Sequence, residues 1–170
     1  EQLNAKLPRA GVLPVVLGPS VMGVFVHEAF GHLAEADLTL AGSVLQDKLG
    51  KRIGSDLVNI YDDGTIAGAF GSFKYDDEGV PSQRTLLMKD GVIVGLMHNR
   101  ETAKKFNAKP TGNARAEDFR VEPLIRMRNR FIEPMDQSFE ELLEDVKFGY
   151  YFESFRGGQA NLDGTFQVGI

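Results

Sequence analysis

Residues 21–34 form a nearly continuous apolar run with three ionisable side chains set into it: Val21-Met22-Gly23-Val24-Phe25-Val26-His27-Glu28-Ala29-Phe30-Gly31-His32-Leu33-Ala34. A helix drawn through this run carries apolar residues on almost every side, which predicts a helix buried all round. A charged Glu in such a helix is costly unless it is paired or lies near a metal. Two imidazoles and a carboxylate suit Zn²⁺. The ring nitrogens bind the ion, and a carboxylate that does not bind it can take a proton from its water.

The spacing complicates that reading. In the usual zinc-protease motif H-E-x-x-H the histidines lie four apart on one helix face. Here they lie five apart, at His27 and His32. Four residues of an ideal helix give roughly 400°, or ~40° off alignment, whereas five give roughly 500°, or ~140° off. The two rings share one metal only if the helix widens into a π-bulge or breaks before His32. Gly31 is placed to permit that distortion. The competing structural reading makes His27 a hydrogen-bonded core histidine, Glu28 its partner and His32 a histidine at a helix C-terminus.

Elsewhere the chain alternates short elements with turns. A strand is predicted over Val12–Leu17, and the helix over about Ser20–Leu33. A short helix is possible near Ser43–Lys48, and a strand spans Leu57–Tyr61. Thr65–Pro81 reads as a long exposed loop. Asp90-Gly91 joins Arg84–Lys89 to Val92–His98 as a hairpin with a type I′ turn. Asn99 caps a helix to Phe106. Glu122–Phe131 reads as a strand. Ser138 and Glu141 form a capping box for a helix to about Val146. Phe148–Phe155 is a strand, Gly157-Gly158 a break, and Thr165–Val168 another strand. The sum is an α+β fold, mainly antiparallel sheet with a buried motif-bearing helix and a few short helices.

Composition removes several function classes. At 170 residues with 42% hydrophobic and 25% charged residues, the chain has enough material for one core. Its net charge is −5 with both signs dispersed, so the basic patch of a nucleic-acid binder is missing. There are no cysteines, which excludes disulfides and thiolate metal sites within the chain. Val12–Val26 is broken by Pro14, Gly18 and Pro19 and is too short to span a bilayer. The opening Glu1-Gln2-Leu3-Asn4 lacks the pattern of a signal peptide. Both ends read as boundaries within a longer protein, so residues 1–170 are expected to form a single, partial domain.

The run His27–His32, with Leu17-Gly18-Pro19-Ser20 before it and Glu35-Ala36-Asp37 after it, resembles the signature of the TldD/PmbA family. Further matches follow in order: Asp62-Asp63-Gly64-Thr65, Gly112-Asn113-Ala114-Arg115-Ala116, Pro123–Asn129 and Gly157-Gly158-Gln159. The H-E-x-x-x-H form resembles the TldD-type subunit, because PmbA-type (TldE) subunits lack these ligands. The resemblance implies a cytoplasmic zinc metallopeptidase that acts on unfolded peptides in proteolysis and peptide maturation, paired with a TldE/PmbA-type subunit or with itself. His27 and His32 would be zinc ligands and Glu28 the general base. The third ligand of the family is a cysteine nearer the C-terminus, and this chain has none. The chain by itself is therefore expected to carry no stoichiometric zinc, to be inactive and to self-associate. The rival reading is a non-catalytic scaffold or regulatory subunit that binds partner proteins.

Other residues are weighed against bland roles. Asp37, or less plausibly Glu35, could orient a ligand histidine by a hydrogen bond. His98 reads as a structural histidine. Arg126, Arg128 and Arg130 alternate and are expected to share one strand face, solvated except that Arg126 could border the substrate cleft. Gly157 and Gly158 could let a peptide approach a strand edge. Asp62-Asp63 and Asp76-Asp77 lack the spacing of a Ca²⁺ loop and read as turn residues.

Overall fold

Gly18 in extended backbone followed by Pro19 at the first helical position opens the first helix, as their order predicts. The computed structural model describes residues 5–169; the Glu1–Asn4 opening and Ile170 lie outside the described residues. In chain order the elements are β1 (Val15–Leu17), α1 (Pro19–Val26), a π-turn (His27–Gly31), a 3-10 turn (His32–Ala34), α2 (Ala36–Leu40), β2 (Ile60–Asp63), β3 (Arg84–Lys89), β4 (Val92–Ile93), α3 (Arg100–Lys105), β5 (Ala114–Arg115), β6 (Leu124–Ile125), β7 (Asn129–Ile132), α4 (Phe139–Leu143), β8 (Tyr150–Phe152), β9 (Gly157–Ala160) and β10 (Phe166–Gly169).

The main sheet has the order β4-β3-β2-β7 and is antiparallel throughout. Its hairpin turns at Asp90 and Gly91, with φ of +48° and +73°, the pair of left-handed residues that a type I′ turn requires. β4 stops earlier than His98 because Val94 N and Gly95 N both turn to Leu87 O. Smaller ladders join β5 to β6 and β9 to β10, both antiparallel, while β1 and β8 pair in parallel. The α+β, mainly antiparallel architecture holds.

Local signals are borne out at both predicted caps. Asn99 Oδ1 accepts from Thr102 N at 2.9 Å. Ser138 and Glu141 close a reciprocal capping box, although α4 ends at Leu143. Ser43–Lys48 forms successive turns rather than a helix.

The largest departure is Glu122–Phe131. It is two short strands of different sheets, β6 and β7, separated by an irregular link. Buried Asp62 is the reason. Its carboxylate takes Arg128 N at 2.9 Å and Asn113 Nδ2 at 2.7 Å, so the link bends inward to satisfy a buried acceptor. The three arginines therefore do not share a solvated strand face. Arg128 is half-buried and donates from Nε to Gly112 O.

The helical segment lies across the main sheet. Val26, Phe30, Leu33, Ala34 and Ala36 pack with Ile60, Leu87, Met88, Ile93, Met97 and Ile125 in one core. Burial of a side chain such as Phe30 contributes about 2–3 kcal/mol. The segment is not buried all round, however. Gly23 is exposed, and Val24, His27 and Glu28 are half-buried, because β9 and β10 cover that side only in part. No helix among the described residues is long and apolar enough to cross a membrane.

Candidate metal centre

The five-residue spacing is accommodated by the distortion that it demands. His32 N donates to His27 O, an i→i+5 bond that closes a π-turn over His27–Gly31. Five residues then make about one turn, and the imidazoles come to one side with ring centroids 4.7 Å apart at 89°. Nitrogen atoms of His27 and His32 and a carboxylate oxygen of Glu28 all lie within 4.8 Å of one another. Two donors at Zn²⁺ distances from one ion are at most about 4.2 Å apart. The three donors therefore fit one ion only after a small side-chain shift, or with Glu28 standing off it.

Gly31 serves this turn differently from the expectation. Its backbone is ordinary right-handed helix, φ −60°, so no conformational freedom is used. What matters is the missing side chain. A Cβ there would come 2.3 Å from Arg130 Cζ and 2.4 Å from Met127 Sδ. Glycine opens the place in which the Arg130 side chain lies beneath the turn.

Each histidine has a partner on its other side. His32 Nδ1 lies 3.1 Å from Glu35 Oε1, which leaves Nε2 to face a metal. Glu35 is fully buried, and that burial raises its carboxyl pKa against the opposing pull of His32 and Arg126. The carboxylate in hydrogen-bond contact with His32 is thus Glu35. Asp37 instead accepts from Leu38 N at 2.9 Å, in the first turn of α2. The reason is the 3-10 turn, which ends in extended backbone at Glu35 and is pinned by Ala36 N to Met97 O and Met97 N to Ala34 O. His27 Nδ1 accepts from Arg130 Nη2 at 2.8 Å. Burial, then the charges of Arg130 and His32, lowers the His27 pKa to about 4, so the ring is neutral at neutral pH, as a ligand must be. Burial also lowers Arg130, to about 10, which leaves it a cation.

Among the other candidates, Arg126 reaches the buried carboxylate of Glu35, with Nη1 3.6 Å from Oε2, and it borders a separate surface pocket with Leu124 and Glu122. Gly158 belongs to β9 and abuts Glu28: a Cβ would lie 2.7 Å from Glu28 Cγ. Gly157 has φ +133° and meets nothing at its α-carbon. A cleft of about 410 Å³ runs between Glu28, His32 and Leu33 on one side and Gly158, Gln159 and Ala160 on the other. His98 is buried against Thr102 and Phe106, outside this cluster. Arg130 was hidden in the sequence because its alternation with Arg126 and Arg128 suggested a surface strand. Its partner lies 103 residues away, and only Gly31, which abuts it in space but is unmarked in the chain by any turn, hinted that something large sits there.

An α+β fold that brings two imidazoles and a carboxylate together, His32 and Glu28 on the wall of a cleft, defines the class, a candidate two-histidine metal centre. The family model described as PmbA/TldA metallopeptidase C-terminal domain matches residues 10–170, and the chain belongs to this TldD/PmbA family. It is 51% identical over 167 residues to a metalloprotease of Methanocaldococcus jannaschii, covering 97% of this chain and 37% of that protein. It is 44% identical over 170 residues to the zinc metalloprotease TldD homolog of Saccharolobus solfataricus, covering 99% and 38%. The chain thus spans a little over a third of the length of these curated relatives. In fold it is similar to TldE from Thermococcus kodakarensis, with a TM-score of 0.79 at 24% identity over 92% of this chain and 36% of that one.

Proposed function

We propose that this chain carries the metal-binding part of a zinc-dependent peptidase, with His27 and His32 as two zinc ligands and Glu28 as the general base. The observation that carries this reading is the π-turn. The i→i+5 bond turns the five-residue spacing so that both rings face one point, and the donor atoms of all three residues lie within 4.8 Å; such turns are frequent at functional sites. That convergence favours a peptidase over a non-catalytic scaffold, which needs no such set. The name of the Saccharolobus solfataricus relative supports zinc as the metal.

A bound Zn²⁺ would supply Lewis acidity at the peptide carbonyl. Glu35 holds His32 by its Nδ1, fixing the ring with Nε2 forward. Glu28, seated against Gly158, accepts the proton of the attacking water and passes it toward the leaving amine. The substrate would be an unfolded peptide lying along the Gly157–Ala160 strand, where the bare α-carbon of Gly157 leaves room for a second backbone while that of Gly158 seats Glu28. Arg126 would act at the rim of this region and, through Glu35, on the orientation of His32. The third zinc ligand, by family resemblance a cysteine, would come from elsewhere in the intact protein, since this chain has none. Alone, the chain would then hold no stoichiometric zinc. Pairing with a TldE/PmbA-type subunit or with a second copy, and a cytoplasmic location, belong to the same proposal.

The test is Glu28→Gln in the intact protein. Peptide cleavage should be lost while zinc content, measured by elemental analysis, stays near wild type, because Gln keeps the shape but cannot take the proton. Cleavage at the wild-type rate would remove Glu28 from the mechanism.

A further inference from the structure

Arg130 is the least satisfied charged group near the cleft. Its Nε and Nη1 are buried without a hydrogen-bond partner. Among the described residues, its one side-chain hydrogen bond runs from Nη2 to His27 Nδ1 at 2.8 Å. Three carboxylates, Asp62, Glu35 and Glu28, act on it electrostatically, and none bonds it directly. A buried guanidinium that takes no carboxylate as partner and spends its bond on an imidazole is in an unusual setting.

The chemistry of that bond limits what His27 can do. Arginine only donates, so Nδ1 is the acceptor. A neutral imidazole has one lone pair and one N–H, so the ring carries its proton on Nε2. Both ring nitrogens are then occupied, one by the guanidinium and the other by its own proton. An ion that uses Nδ1 must displace the guanidinium. An ion that uses Nε2 must send that proton to Nδ1, where a donor already points. On either route the Arg130–His27 bond breaks. The guanidinium also supplies the positive charge that a dication would bring to the same carboxylates.

Resting on the metal-centre reading above, we propose that Arg130 is a placeholder cation. It closes His27 while the site is free of metal, withdraws as the ion enters, and so sets the affinity and loading of the site. It is a positioning residue and takes no part in bond cleavage.

The test uses the intact protein and zinc alone. Arg130→Met removes the donor and the charge while keeping an apolar stem. In competition with a chelator of known affinity, R130M should bind zinc more tightly, on the order of tenfold, the equivalent of one charge-assisted hydrogen bond no longer broken on loading. A second measurement needs no variant. Long-range ¹H–¹⁵N spectra of metal-free wild type should show His27 protonated at Nε2 with Nδ1 as acceptor, and zinc should abolish that pattern. Equal or weaker zinc affinity in R130M, with wild type still binding, would overturn the placeholder and leave the metal centre standing. An Nδ1–H tautomer in the metal-free protein would do the same. A wild type that binds no zinc would overturn both.

Discussion

Gly31→Ala is the substitution for which the structure and helix propensity disagree most sharply. By propensity alone it should help, since position 31 has helical φ and ψ and Ala is preferred to Gly in a helix by about 1 kcal/mol. The packing says otherwise. The new methyl would sit 2.3 Å from Arg130 Cζ and Nη1 and 2.4 Å from Met127 Sδ, where carbon contacts relax only near about 3.5–4.0 Å. The guanidinium would have to move by roughly 1 Å or more, on the scale of a core overpacking that costs about 1–3 kcal/mol. That movement breaks its bond to His27, with a charge-assisted loss of about 1.5–3 kcal/mol. Set against the propensity gain, the net destabilisation is about 1.5–5 kcal/mol. With a urea slope of about 2 kcal/mol per M, the unfolding midpoint should fall by about 1–2.5 M. Gly23→Ala is the control. It lies in α1, is exposed, and a Cβ there meets nothing within 4 Å, so it should raise stability by about 0.5–1 kcal/mol. If Gly31→Ala raised the midpoint as Gly23→Ala does, the account of Gly31 as the opening for Arg130 would be refuted.

Three further outcomes are expected. Glu35→Gln should weaken zinc binding by about 10–100-fold in chelator competition, while Asp37→Asn leaves it unchanged; the reverse order would return the orienting role to Asp37. Gly158→Ala, whose Cβ would stand 2.7 Å from Glu28 Cγ, should lower the rate constant for cleavage at least tenfold, the scale on which misplacing a catalytic group is felt, with zinc content unaltered. Because His27 binds its proton more weakly folded, at about 4, than at its ordinary 6.5, the unfolded chain takes up more protons between those values. Metal-free protein should therefore lose stability as the pH falls from 6.5 toward 4; a denaturation midpoint that is flat or rising over that window would contradict the assignment.

What could be read from the sequence was local. The Asp90-Gly91 turn, the Asn99 cap, the Ser138–Glu141 box and the distortion before His32 each depend on residues within one turn of each other, where stereochemistry decides. The failures were long-range. The alternation of Arg126, Arg128 and Arg130 mimics a surface strand, and only buried Asp62, 66 residues away from Arg128, breaks it. Asp37 looked a better neighbour for the histidines than Glu35 because the sequence does not tell where a 3-10 turn ends. The cost argument that singled out a buried glutamate was sound, but the fully buried one is Glu35, whereas Glu28 stays half-exposed beside the cleft. The Gly158–Glu28 contact had no sequence signal beyond a pair of glycines.

The π-turn has a topological consequence. His27, Glu28 and His32 sit within six consecutive residues, and Glu35 follows three residues after His32, whereas Arg130 and Gly158 arrive from far along the chain. Loop-closure entropy weighs lightly on the first group and more on the second. The histidine pair can therefore assemble with its first turn of helix, before the guanidinium and the glycine strand are in place. During synthesis, the histidines emerge from the ribosome roughly a hundred residues ahead of the guanidinium that later bonds one of them, as the His27–Arg130 separation of 103 residues requires. A nick anywhere between residues 36 and 128 would leave the pair and Glu35 on one piece and cut their chain connection to Arg130 and Gly158.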